Sequence, residues 1–215
     1  MLPPMQRYFI TIAGNIGVGK STLTQLLADK TGFEPVFEPH ADNPYLADFY
    51  DDMARWSFHS QIFFLTRRLR QHHELLMRPN SALQDRSVYE DAEIFARNLF
   101  NQKAMGARDW QSYHDLYQTL TSILTPPHLV VYLRASVETL QERIRQRGRE
   151  YERGISAEYL QQLNELYDEW AFNFSLSPVL VIETDNLNYV RYQDHLDQIW
   201  ERIEQRLHGL DILTL

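Results

Sequence analysis

The stretch YFITIAGNIGVGKSTLTQLLADK, Tyr8–Lys30, decides the fold of this chain. YFITIA, residues 8–13, is apolar without clean alternation, as a strand covered on both faces should be. Lys20–Lys30 has a helical pattern. Between them GNIGVGKS, Gly14–Ser21, matches G-x-x-x-x-G-K-[ST] in full, in the strand-to-helix setting that makes this motif a phosphate-binding loop. In such a loop Gly14, Asn15, Ile16, Gly17, Val18 and Gly19 turn backbone N–H groups toward phosphate oxygens, and the helix start at Lys20, Ser21 and Thr22 adds positive potential. Lys20 would neutralise the β- and γ-phosphates, and the Ser21 hydroxyl would face Mg²⁺.

Working outward, short apolar runs alternate with helical patterns. Strands are expected at Pro35–Phe37, Ala82–Gln84, His128–Leu133 and Val179–Ile182. Helices are expected from Arg55 to about Met77, at Asp91–Phe100, Asp109–Leu124 and Ser136–Gln146, and from Ala157 to about Phe172. Ser136 is placed to cap its helix. Leu196, Ile199, Ile203 and Leu207 mark a terminal amphipathic helix. This alternation predicts an α/β protein with a mostly parallel sheet, and 215 residues without a repeat or linker predict one domain. RGREYERG, Arg147–Gly154, is dense in charge and carries two glycines, as a mobile segment between two helices would.

Composition narrows the partners. The formal net charge of -8 disfavours a nucleic acid polymer, which needs a basic surface, but leaves room for a small anionic ligand. With no cysteine there is no disulfide and no thiol chemistry. The N-terminal residues lack a secretory pattern and no window is apolar enough for a membrane span, so a cytoplasmic protein is expected.

A phosphate-binding loop does not name the acceptor. The Asn-Lys-x-Asp signature of GTPase switches is absent. The third expected strand instead runs into Asp85-Arg86-Ser87, at the carboxyl end of a parallel strand, where open α/β sheets bind ligands. Asp85 there would hold Mg²⁺ through water, and Arg86 would reach a phosphate or the acceptor oxygen. In the helix RWSFHSQIFFLTRRLR, residues 55–70, Ile62, Leu65, Leu69 and Leu76 define the expected core face. Gln61 and Arg68 lie about 80° round from it. They read either as the solvated edge of an amphipathic helix or as one wall of a pocket. The adjacent His72 and His73 diverge by about 100°, make poor joint metal ligands, and read as solvated. Tyr113, Tyr117 and Tyr167 read as core or dimer contacts.

The phosphate loop, Glu38-Pro39, Tyr50 through Gln61, Asp85-Arg86-Ser87-Val88-Tyr89 and Arg143 through Gly154 together resemble the deoxyribonucleoside kinases, in order and spacing, from about Tyr8 to Trp170. The resemblance implies a P-loop kinase fold with a five-stranded parallel sheet, a short Arg-rich lid at about residues 147–154, and a homodimer. It implies transfer of the γ-phosphoryl group of ATP, with Mg²⁺, to the 5′-hydroxyl of a deoxynucleoside in nucleotide salvage. By resemblance Glu38 is the general base, and Asp85 and Arg86 sit near Mg²⁺ and the reacting oxygen. Tyr50 and Glu152 hold the sugar 3′-hydroxyl, and Arg143, Arg147 and Arg149 close over ATP, Arg143 near the adenine. Gln61, Arg68 and Asp91 match the base-reading positions. Gln61 offers a donor and an acceptor, Arg68 donates only, and an ionised Asp91 accepts only. The 4-carbonyl of thymine would leave Asp91 unpaired, so adenine, guanine or cytosine is expected, with a lean to purines from ADNPYLADFYDD, residues 41–52. Ala92 departs from the deoxycytidine kinase pattern, which has arginine there. Three alternatives stand beside this reading: a deoxycytidine-preferring or broad-specificity kinase, a thymidylate-kinase-like monophosphate kinase, and a non-catalytic nucleotide sensor.

Overall fold

A computed structural model describes residues 7–37, 43–149, 152 and 154–208. Five parallel strands form one sheet in the order β2-β3-β1-β4-β5: β1 Phe9–Gly14, β2 Glu34–Val36, β3 Ala82–Asp85, β4 Leu129–Arg134 and β5 Val179–Glu183. The helices are α1 Lys20–Thr31, α2 Leu46–Asp51, α3 Met53–Met77, α4 Val88–Glu90, α5 Arg97–Asn101, α6 Ala107–Thr121, α7 Val137–Arg147, α8 Ala157–Asn173 and α9 Gln193–His208. A π-helical segment, Asp91–Ala96, joins α4 to α5.

Every residue of β1 is buried, as its unalternating sequence requires. Ile10, Ile12, Val131 and Leu133 pack on one side against Leu23 and Leu27 of α1 and Ile199 and Ile203 of α9. Ala13, Val130 and Tyr132 pack on the other with Leu65, Ile94 and Tyr167. The expected face of α9 is therefore the buried one. Local signals end the helices as expected. Gly32, at φ 73, closes α1 with its N–H on Ala28 O, Ser136 caps α7 by accepting from Thr139 N, and Ser156 caps α8.

The short helices α2 and α4 and the π-helical segment differ from the sequence reading. The turn and a half of α2 was not expected; its N-cap, Tyr45, makes no side-chain capping bond. The expected Asp91–Phe100 helix is instead a π-helical insert followed by α5, a local register change that often accompanies a functional site. β1 lies between β3 and β4, so the chain leaves the sheet in opposite directions on its two sides. The crevice outside the carboxyl end of β1 is the position where such sheets bind ligands. Among the described residues no helix is long and apolar enough to cross a membrane.

Candidate active site

The phosphate loop occupies that crevice and is held from behind. Gly17 has φ +84, and a Cβ there would stand 2.7 Å from Ile144 Cγ1; at Gly19, φ +105, it would stand 2.2 Å from Tyr189 Oη. Glycine at these positions answers both the left-handed backbone and the close approach of α7 and the loop after β5. The amide of Asn15 donates to Leu160 O (2.9 Å) and Asn164 Oδ1 (2.8 Å) and accepts from Ile16 N (2.7 Å), tying the loop to α8. Lys20 Nζ donates to Gly14 O (2.7 Å) and Asn15 O (3.0 Å), folding over the space a phosphate would fill. No side chain caps α1 and its first turn holds no acid, so its N–H groups face the crevice.

Two cavities flank the loop. The first, about 450 Å³, is lined by Ile16, Gly17, Gly19, Lys20, Ser21 and Thr22, then by Phe49, Gln61, Phe64, Asp85, Arg86, Asp91 and Phe95, and on the lid side by Arg147, Arg149, Glu152 and Tyr159. The second, about 990 Å³, lies between Gly17, Val18, Gly19 and Thr22, the Arg143 face of α7, and residues 185–191. The sequence reading did not single out this last segment. Its position beyond the carboxyl end of β5 is the signal that marks it.

Asp85 ends β3 beside Ile12 of β1 and accepts a hydrogen bond from Ser21 Oγ through Oδ2, so the two expected metal-facing residues meet. Arg86 follows at φ 67, a conformation unusual for a residue with a Cβ, and its guanidinium lies 4.3 Å over the Phe95 ring. Its backbone is fixed on both sides. Arg86 N donates to Ile12 O (3.0 Å), while the carbonyls of Asp85 and Arg86 both accept from Arg68 Nη1 (3.2 Å each).

Gln61 and Arg68 are buried, at 5% and 3% exposure, so the solvated-edge reading of the stripe fails. The face of α3 turned inward is Ser57, Ser60, Gln61, Leu65, Arg68, His72 and Leu75. Ile62, Leu69 and Leu76, three of the four residues expected to face the core, are only partly buried. The helix is rotated because its polar residues have partners inside. Arg68 Nε donates to Asp91 Oδ2 (3.1 Å), in addition to the two carbonyls. Arg68 is thus one layer behind Asp91 and does not line the cavity, whereas Gln61 and Asp91 do. His72 also corrects the sequence reading. It has no exposed surface, its Nε2 bonds Thr125 O at 2.8 Å, and its ring stands edge-on to Phe9, while His73 is exposed. Burial holds the His72 imidazole below its ordinary pKa, with the Thr125 carbonyl opposing. Tyr113, Tyr117 and Tyr167 are buried in the core.

Arg147 and Arg149 face the first cavity from the lid side, both turned to Glu152. Arg147 Nε and Nη2 donate to its Oε2 (3.0 and 2.6 Å), and Arg149 Nη1 lies 3.6 Å from Oε1. Arg143 is placed differently from the other two. It lies within α7, lines the second cavity, and braces the phosphate loop by donating to Val18 O (2.9 Å), Thr184 Oγ1 (3.1 Å) and Thr184 O (2.6 Å). Glu38 lies outside the described residues. Tyr50 falls within α2, and its side chain is not described. Glu90, which the sequence reading passed over, lies under the floor of the site with no exposed surface. The spacing Ser87-x-x-Glu90, a capping box, was the available signal.

A phosphate loop with a lysine and serine at its helix start, a carboxylate at the neighbouring strand end, and a cavity on each side are the layout of a nucleotide-dependent phosphotransferase. The family model described as Deoxynucleoside kinase matches residues 10–208, past the segment that the sequence resemblance covers. The chain therefore belongs to the deoxynucleoside kinase family and is an ATP-dependent kinase. It is 36% identical over 203 residues to a deoxyadenosine/deoxycytidine kinase of Bacillus subtilis (strain 168), covering 93% of each chain. It is 31% identical over 201 residues to a deoxyguanosine kinase of the same organism, covering 92% of this chain and 96% of that one. The solved structure of deoxyadenosine kinase from M. mycoides with bound dATP superposes with a TM-score of 0.79 at 29% identity, over 92% of this chain and all of that one (100%).

Proposed function

We propose that this kinase transfers the γ-phosphoryl group of ATP to the 5′-hydroxyl of a purine deoxynucleoside, deoxyadenosine or deoxyguanosine. The observation that carries this reading is the lining of the first cavity, to which Gln61, Asp91, Phe64 and Phe95 all contribute. Two aromatic rings and two directional polar groups suit a flat base with a hydrogen-bonding edge. Asp91, ion-paired with Arg68, presents acceptors, which match the amino group of adenine or the N–H of guanine and mismatch the thymine carbonyl. Relatives named for deoxyadenosine and deoxyguanosine support the purine lean.

In this reading ATP enters the second cavity with Arg143 beside its base, and its phosphates cross the loop to Lys20. Arg147 and Arg149 turn from Glu152 to the phosphates, and Glu152 and Tyr50 take the sugar hydroxyl. Glu38 accepts the 5′-hydroxyl proton, and Arg86 meets the charge that develops on the transferred group. Ser21 and Asp85 suit Mg²⁺. Both offer hard oxygens, and Asp85 Oδ1 is buried with no hydrogen-bond partner among the described residues. When bound, the ion would neutralise phosphate oxygens. One domain, a homodimer and a cytoplasmic setting complete the proposal. Exposed Leu116 on α6 and partly covered Phe63 on the neighbouring α3 support a partner surface.

The test is ATP- and Mg²⁺-dependent phosphorylation of the four natural deoxynucleosides and of deoxyadenosine monophosphate. A purine deoxynucleoside should give the highest kcat/KM, with thymidine at least about 100-fold lower. Equal use of thymidine would sink the base assignment, and preference for the monophosphate would favour the monophosphate-kinase alternative. Glu38→Gln should lower kcat about 10²–10⁴-fold while ATP still binds.

A further inference from the structure

Glu90 is a buried acid that none of the roles above uses. Its Oε2 accepts from Ser87 N (2.8 Å) and Ser87 Oγ (3.1 Å), which is the reciprocal cap of α4. A capping box needs only one of the two carboxylate oxygens. Here Oε1 leaves its own helix. It accepts from Gly14 N (3.2 Å), the first residue of the phosphate loop, and from Tyr167 Oη (2.9 Å) on α8, the helix that follows the lid. One carboxylate therefore joins the exit of β1, the turn after Arg86, and α8. Burying a carboxylate is costly unless it is paired and fully bonded. Burial is the largest influence on this one and raises its pKa, with the charges of Arg86 and Lys20 opposing.

We infer that Glu90 is a positioning residue for phosphoryl transfer, its carboxylate fixing the departure of the phosphate loop from β1 and the turn that carries Arg86, so that Lys20 and Arg86 meet the transferred group together. Gly14 N–H is directed to Glu90, and the Gly14 carbonyl accepts from Lys20 Nζ at 2.7 Å, so the peptides on either side of this glycine link the acid to the lysine. On the other side, Ser87 N–H to Glu90 and Arg86 N–H to Ile12 O bracket the left-handed Arg86 residue. Loss of the bridge should displace both cations slightly. Misplacement of about 1 Å can cost about 10²-fold in rate. Such a loss falls on kcat, because the affected contacts mature in the transition state.

The inference rests on the phosphate-facing roles of Lys20 and Arg86, which Lys20→Ala tests without touching Glu90. The experiment measures kcat, both KM values and thermal midpoints for Glu90→Gln, Glu90→Asp and Tyr167→Phe, each assayed well below its own midpoint with ATP and deoxyadenosine. Glu90→Gln keeps the shape but replaces one of the two acceptor oxygens by an amide NH₂, which cannot accept from Ser87 or from Gly14 and Tyr167. Its kcat should fall about 10- to 100-fold, with both KM values within about threefold. Glu90→Asp keeps the charge but falls one methylene short of reaching Gly14 and Ser87 together, and its kcat should fall at least about fivefold. Tyr167→Phe removes one bond to the same oxygen and should lower the midpoint while keeping kcat within about twofold. A folded Glu90→Gln enzyme with kcat within about twofold of the parent would overturn the inference. So would a Tyr167→Phe enzyme that loses as much kcat as Glu90→Gln, because the effect would then be general loosening. If Glu90→Gln does not fold, Glu90→Asp decides by the same kcat criterion.

Discussion

Arg68–Asp91 and Arg147–Glu152 are the same chemical pair in two settings. Their separations are similar, 3.1 and 2.6 Å. In the first pair both side chains are buried, at 3% and 5%, and the guanidinium also holds the carbonyls of Asp85 and Arg86. In the second pair Glu152 is as buried as Asp91, but Arg147 keeps a third of its side chain in water and a second arginine, Arg149, lies 3.6 Å from the same carboxylate. A buried pair is expensive to break, because the partner left behind is an uncompensated charge in a poorly solvating place. A pair with one partner open to water is screened by salt, and the arginine can leave for solvent, so less is lost when it opens. The first pair is fixed scaffolding behind the first cavity; under the proposed function the second is the one that opens, Arg149 remaining beside Glu152 when Arg147 turns to a phosphate.

The largest effect should come from breaking the strong pair. Arg68→Met leaves Asp91 buried without its guanidinium and frees two carbonyls, so urea unfolding should show a loss of about 3–5 kcal/mol, with collapse of nucleoside kcat/KM. A loss below about 1 kcal/mol would mean that the two pairs do not differ as their burial implies. Gln61→Leu sharpens the comparison within the lining of the first cavity. It should cost about 10- to 100-fold in kcat/KM for the nucleoside, with the KM for ATP unmoved; equal losses for both substrates would remove Gln61 from base reading. Arg147→Ala probes the second pair. Stability should fall by less than for Arg68→Met, because Arg149 stays 3.6 Å from the Glu152 carboxylate, while the KM for ATP rises and kcat falls; an equal loss of stability would show the second pair to be scaffolding too.

The smallest effect concerns His72, whose ring neighbours Phe9 and Tyr89 are neutral. Burial keeps the folded imidazole below its ordinary value of 6.5, so as pH falls through 6.5 the unfolded chain takes up a proton that the folded protein does not. The stability that this group allows is present above that pH and is lost below it. The thermal midpoint should fall by a few degrees between neutral pH and the onset of acid unfolding, and His72→Gln should flatten that slope. Identical slopes in parent and variant would contradict this assignment.

Some of the site was readable because it is local. The phosphate loop, the strand before it, and the Asp85-Arg86 step at a strand end each depend on a few neighbouring residues. The lid residues Arg147, Arg149 and Glu152 also lie within one short segment. Glu90, His72 and the rotation of α3 were not readable in the same way. On a helical wheel the apolar Ile62–Leu69–Leu76 stripe predicts the buried face. The polar stripe is buried instead because Asp91 and two carbonyls from a different part of the chain await it. The segment after β5, which lines the second cavity, carries no local motif; only its place at the end of the edge strand marks it.

The sequence by itself determined the phosphate loop, the parallel α/β alternation and the residue types for phosphoryl transfer, because hydrogen bonding within a turn and hydrophobic period act over a few residues. Only the tertiary structure decided which buried groups partner one another. It set Arg68 behind Asp91, drew Ser21 to Asp85, and hung Gly14, Ser87 and Tyr167 on the single carboxylate of Glu90. A polar side chain enters the interior only where distant parts of the chain supply its partners, and that supply is a property of the packed molecule.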